Sequence, residues 1–229
     1  MSETLTEKIV TSIQEDIISL RLQPGQRLHI AQLAEHYESG PGPIREALSR
    51  LISTELVISL SQRGFRVAPL TRIDLNDVYQ TRTHIEAIAL NLSIANGNDA
   101  WEADIVGSYH RLAKFESEHT IQSIEDYQAW EVRHRAFNAA LMSACNLQHL
   151  LRIQQQLYNL TERYRRQWLL AGIRHLNGLP HAKEQKKIMD AVLARNATLA
   201  VSLLHNHFEK AVKVIESYCI EHDLFNENL

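Results

Sequence analysis

The sequence predicts a mainly α-helical protein in two parts: three helices and a β-hairpin, then an antiparallel bundle of about six helices. Three observations carry this. Apolar residues recur with a helical rhythm up to residue 54, the texture turns to short β-branched runs around a glycine between 57 and 67, and helical patterning resumes from 74 onward.

Leu5, Ile9, Val10, Ile13, Ile17 and Leu20 fall on one face of a helix over about 4–21, which Pro24-Gly25 ends in a turn. A short helix follows over about 30–37 through Ile30, Leu33 and Ala34. Ser39-Gly40-Pro41-Gly42-Pro43 interrupts it. Proline lacks the N–H that a helix interior needs but is tolerated in a first turn, so a third helix starts at about 42 and runs to 54 with Ile44, Ala47, Leu48 and Leu51 inward. Val57-Ile58-Ser59-Leu60 and Phe65-Arg66-Val67, joined by Gln62-Arg63-Gly64, read as two strands around a tight turn. Three helices and a hairpin compose a winged helix-turn-helix, residues 1–69.

Residues 70–73 read as a linker, and Asp74 is expected to cap the first helix of the second domain, 74–229. Helices are expected near 74–96, 100–117, 121–144, 147–172, 180–194 and 197–221, separated by Asn96-Gly97-Asn98, Asn146, Gly178-Leu179-Pro180 and Asn196. Each has one apolar face, as at Val78, Ile85, Ile88, Ala89 and Leu92, which suits a bundle.

Composition limits the function classes. Apolar residues make up 45% and the net charge is −3, which argues against indiscriminate nucleic-acid binding, yet 40–70 carries four Arg against two Glu. Charges break every apolar stretch before about 18 residues and the N-terminus lacks a secretory layout, so a cytoplasmic protein without a membrane partner is expected. Cys145 and Cys219, far apart, read as buried thiols. A hydrolase built on the His and carboxylate groups is the rival class, but GxSxG, HExxH and phosphate-loop patterns are absent.

Leu33-Ala34, Pro43-Ile44-Arg45-Glu46-Ala47-Leu48-Ser49-Arg50-Leu51 and Arg63-Gly64-Phe65-Arg66-Val67, in that order, resemble the GntR family of regulators. The second half resembles that family's FadR-type helical (FCD) domain through Arg82-Thr83-His84-Ile85-Glu86, His134 to Leu141, and Asp190 to Asn196. Trp130 to His134 and Arg163-Tyr164-Arg165 are similar to the subgroup that regulates glutarate, 4-aminobutyrate and carbon-starvation genes.

The resemblance implies a homodimer on palindromic double-stranded operator DNA, most often as a repressor, with its third helix in the major groove. Arg45 is then placed to reach a guanine edge, Arg50 to contact DNA a turn further on, and Arg63 and Gly64 to flank the minor groove. Bare backbone at Gly40 and Gly42 can approach a phosphate. Family members usually carry Ser-Arg-Thr before the proline, where this chain has Gly40-Pro41-Gly42, so an altered operator is expected.

In the helical domain the resemblance implies a sensor of a small anionic metabolite, a carboxylate by expectation. Arg82, His134, Asn138, Gln185, His207, Arg163 and Tyr164 are the expected ligand-binding residues. Many such domains hold a divalent metal with one Asp and three His; the corresponding places here are His134, Asn138, Gln185 and His207, of which only the last keeps the family's residue. A Zn or Ni site at His134, His207 and His181 is thus a degenerate version, and a metal-dependent regulator is the alternative function. The bland alternatives are a satisfied core histidine, an i,i+4 pair between Arg82 and Glu86, and a solvated face at Arg163, Arg165 and Arg166.

Overall fold

The computed structural model describes residues 4–60, 64–171 and 181–226. Helix α1, Leu5–Ile18, starts with a capping box in which the Thr4 hydroxyl accepts from the Glu7 N–H and the Glu7 carboxylate accepts from the Thr4 N–H. It buries Ile9, Ile13 and Ile17. Helices α2, Ile30–His36, and α3, Pro41–Ile52, follow, and Ile44, Ala47, Leu48 and Leu51 of α3 are fully buried. That spacing puts all four on one face, so the fold settles which side of α3 faces outward.

The wing is a three-stranded antiparallel sheet ordered β1-β3-β2, from β1, Arg27–Leu28, β2, Val57–Leu60, and β3, Gly64–Val67. Val57 pairs with Val67 and Leu60 with Gly64, while Leu28 pairs with Phe65. Sequence periodicity misses β1 because two residues cannot display an alternation.

The second domain contains α4, Arg72–Asn96, α5, Asp99–Glu118, α6, Ile124–Met142, a 3-10 turn at Ser143–Cys145, α7, Gln148–Ala171, α8, His181–Leu193, and α9, Ala197–Glu221. Helix α4 packs against α7 and α9, and α1 of the first domain packs against α7. Helix α4 starts two residues earlier than expected. Thr71, extended at φ −130°, is the cap whose hydroxyl accepts from the Asp74 N–H at 3.1 Å, and Asp74 is already helical. The inward stripe of α4 is also rotated from the apolar reading, with Ile88 half exposed and Arg82 and Glu86 buried in its place. A matched ion pair can be buried where a single charge cannot, and that moves the buried face off the purely apolar stripe.

Candidate nucleic-acid interface and helical-domain cavity

With the apolar face of α3 spent on the core, Arg45, Glu46, Ser49 and Arg50 project from the opposite side. Arg50 is tied to Glu46, Nη2 to Oε1 at 2.6 Å, whereas the Arg45 guanidinium has no side-chain partner among the described residues. Gly40 caps α3 at φ −76°, a conformation open to any residue. A Cβ on Gly42 meets nothing within 4 Å, and one on Gly40 meets only Pro43 Cδ at 3.9 Å. Neither glycine is required by the fold. Gly64 differs, since its φ of +89° in the wing favours glycine. Arg63 lies outside the described residues.

Four of the expected ligand-binding residues, Arg82, His134, Asn138 and His207, line one cavity of about 300 Å³ among α4, α6, α7, α8 and α9. Arg165, Glu184 and Lys210 join them, with Tyr79, Trp168 and Phe208 among the ring-bearing walls; the sequence gives no hint of these. Arg82 is almost fully buried. Its Nε donates to Glu86 Oε1 at 2.7 Å and its Nη1 to Thr161 Oγ1 at 2.8 Å, and its plane lies 4.6 Å from the Phe208 ring centre. Gln154 Nε2 donates to the same Glu86 oxygen at 2.9 Å. Arg82 therefore pairs with Glu86 and also faces the cavity, with Nη2 unpartnered among the described residues.

His134 stacks on Trp130 at 4.5 Å. The Tyr158 hydroxyl has one proton and donates it to Glu131 Oε1 at 2.7 Å, so His134 Nδ1, 2.7 Å from the same hydroxyl, must be the donor there. In a neutral imidazole that leaves Nε2 as the acceptor, 3.3 Å from the Asn138 amide nitrogen. Arg165 Nη2 closes the set on Glu131 Oε2 at 2.8 Å. Burial pushes the Tyr158 phenol well up, which keeps it a donor at all ordinary pH. On the facing wall, hydrogen bonds from His207 and then Lys210 hold the Glu184 carboxyl down to about 2, against the opposing effect of burial.

Two expectations are corrected. Gln185 is buried but does not line the cavity, and its amide nitrogen and oxygen have no partner among the described residues. Arg163 and Tyr164 turn away from it, because successive helical residues point about 100° apart and the interior position falls to Arg165. Arg163 instead donates to the carbonyls of Ala68 and Pro69, at 3.3 and 3.5 Å, and Tyr164 donates to Asp74 Oδ2 at 2.6 Å while its oxygen accepts from the Thr71 N–H at 3.2 Å. Both hold the segment joining the two domains. As for metal, no three His, Cys, Asp or Glu side chains converge on one point among the described residues. His134 Nδ1 and His207 Nδ1 are engaged by Tyr158 and Glu184, and the His181 side chain lies outside the described residues. Among the described residues fewer than three such side chains converge, short of the set a divalent ion takes.

Comparison with known proteins agrees with this fold. Residues 5–67 match the gntR family of bacterial regulatory proteins, and residues 77–210 match the FCD domain. The chain is 34% identical over 205 residues to the HTH-type transcriptional repressor GlaR of Escherichia coli K12, spanning 89% of this chain and 92% of that protein. It is 35% identical over 215 residues to the HTH-type transcriptional regulator BphR of Paraburkholderia xenovorans LB400, spanning 94% and 86%. The structure of E. coli McbR/YncC shares its fold, with a TM-score of 0.75 over 95% of this chain and 99% of that one at 19% identity. No described helix is long and apolar enough to cross a membrane. These relatives are transcriptional regulators and not enzymes, and a chain that carries both matches in the same order belongs to the gntR family of bacterial regulators with an FCD domain.

Proposed function

We propose that the chain is a cytoplasmic repressor that binds a palindromic operator as a homodimer and leaves it when a small carboxylate-bearing metabolite enters the helical-domain cavity. The observation that carries this reading is the cavity. Arg82 and Arg165 each keep a terminal nitrogen without a protein partner among the described residues, and together with Asn138 they offer donors to a carboxylate inside a largely apolar enclosure.

On the DNA side, Arg45 supports direct reading of a guanine edge, with Arg50, Arg63 and Gly64 as flanking contacts. Gly40 and Gly42 leave room for close backbone approach to a phosphate. One such helix reads only a few base pairs, so affinity for a palindrome needs two copies at fixed spacing. Exposed Ile73 and Ile88 on α4 offer apolar surface to a second copy.

The test is fluorescence anisotropy with the duplex upstream of the encoding gene, competed by random DNA, before and after a thermal-shift screen of C4 to C6 dicarboxylates and amino acids. Specific binding reversed by a stabilising compound supports the reading. Binding that random duplex competes away equally well overturns it.

A further inference from the structure

The residues that line the cavity and those that hold the interdomain segment are chain neighbours at two separate places. On α7, Arg165 lines the cavity, while the two residues before it, Tyr164 and Arg163, hold Thr71, Asp74, Ala68 and Pro69. On α9, Ile215 lines the cavity, while Glu216 accepts from Arg72 Nε at 2.5 Å and stands 3.5 Å from the Asn76 amide. A backbone bond from Asn226 N–H to Leu70 O, 2.8 Å, fastens the segment once more just after α9. Residues 68–76 are thus gripped on one side by α7 and on the other by α9, and both helices form cavity walls.

We infer that Tyr164, Arg163 and Glu216 are the positioning residues that transmit cavity occupancy to the DNA-binding domain, by fixing residues 68–76 when Arg165 stays paired with Glu131 and loosening them when that pair is disturbed. This inference rests on the cavity being the effector site. The physical step is short. A carboxylate that binds the unpartnered Arg165 nitrogen draws the guanidinium away from Glu131, and α7 follows Arg165. Hydrogen bonds weaken steeply beyond about 3.5 Å, and the Arg163 bonds at 3.3 and 3.5 Å stand at that limit. Close-packed helices shift as units by about 1–2 Å, enough to break such bonds. The α7 face that α1 packs against moves with them.

The experiment is amide hydrogen exchange on the full-length protein, which needs neither a known effector nor a known operator. The Thr71 N–H is the reporter, since it donates to Tyr164. Tyr164→Phe deletes only the hydroxyl, and Arg165→Gln breaks the pair with Glu131 without removing any contact to residues 68–76. We expect each to speed exchange at Thr71 and its neighbours by about threefold or more, with the double variant no faster than either single one and the α1 and α3 amides unchanged. Ala211→Phe, which fills the cavity and leaves the ion pair intact in sequence, serves if Arg165→Gln does not fold, and is expected to alter Thr71 exchange by a similar factor. Wild-type exchange at Thr71 in a folded Arg165→Gln or Ala211→Phe protein, or strictly additive effects in the double variant, overturns the inference. Neither result touches the effector and operator assays, so a failure here is distinct from a failure of the proposed function.

Discussion

His134 Nδ1 and the Tyr158 hydroxyl oxygen lie 2.7 Å apart, and the donation runs from histidine to tyrosine because Glu131 takes the tyrosine's only proton. Tyr158→Phe removes the oxygen that fixes this tautomer and leaves a buried N–H and a carboxylate short of partners. A loss of about 1–3 kcal/mol in folding stability is expected by urea titration. The imidazole nitrogen shifts of His134 should also move toward a tautomer mixture, and an unchanged nitrogen spectrum contradicts the assigned network.

Arg82 and Glu86 are both buried, so deleting one strands the other. Arg82→Ala is expected to cost about 3–5 kcal/mol, while replacing the pair by Arg82→Met with Glu86→Leu costs far less, because the stranded charge dominates the single variant. If the double variant is as unstable as the single one, the ion pair is not the source of the loss. Operator binding without effector should survive in the double variant, and its reversal by effector should not.

Glu162 adds a pH dependence. Burial, reinforced by the neighbouring Glu131 carboxylate, raises its carboxyl from the ordinary 4.5 to about 7. Between those values the folded state holds a proton that the unfolded state has lost, so this group's contribution is full below about 4.5 and is lost as pH rises through about 7. The slope for one proton is at most about 1.4 kcal/mol per pH unit. Glu162→Gln should flatten that part of the stability profile in urea titrations across this window, and an identical profile in the variant assigns the slope elsewhere.

Much of the DNA-binding half was legible because one helical stripe, Ile44, Ala47, Leu48 and Leu51, fixes both what α3 buries and what it shows. The cavity was legible only where a family position or an i,i+4 spacing pointed to it, as at Arg82 and His134. Glu131, Tyr158 and Arg165 meet from α6 and α7, 27 and 34 residues apart along the chain, and no local pattern announces a contact between helices. Arg163 and Tyr164 were read as facing the interior because sequence shows that a helix carries them, but not which turn of it looks inward.

Arg45→Ala tests the docking directly. A bidentate arginine contact to a base contributes about 1–3 kcal/mol of discrimination, so operator affinity at fixed salt should fall about tenfold to a hundredfold. Because Arg45 is exposed and without a side-chain partner among the described residues, the thermal midpoint should stay put. Unaltered affinity in that titration removes α3 from the major groove.

Gly42→Ala separates fold from function, because DNA binding is expected to move and folding stability is not. Its Cβ meets no group outside the adjoining residues in the first turn of α3, and alanine's helix preference over glycine, about 0.5–1 kcal/mol, is opposed by the crowding of that Cβ against the Pro43 ring, so folding stability should change little. The same methyl group stands where a phosphate is proposed to approach the bare backbone, and it should weaken operator binding most at low salt, where phosphate contacts dominate. A variant equally tight on DNA means the space at Gly42 is not shared with the duplex.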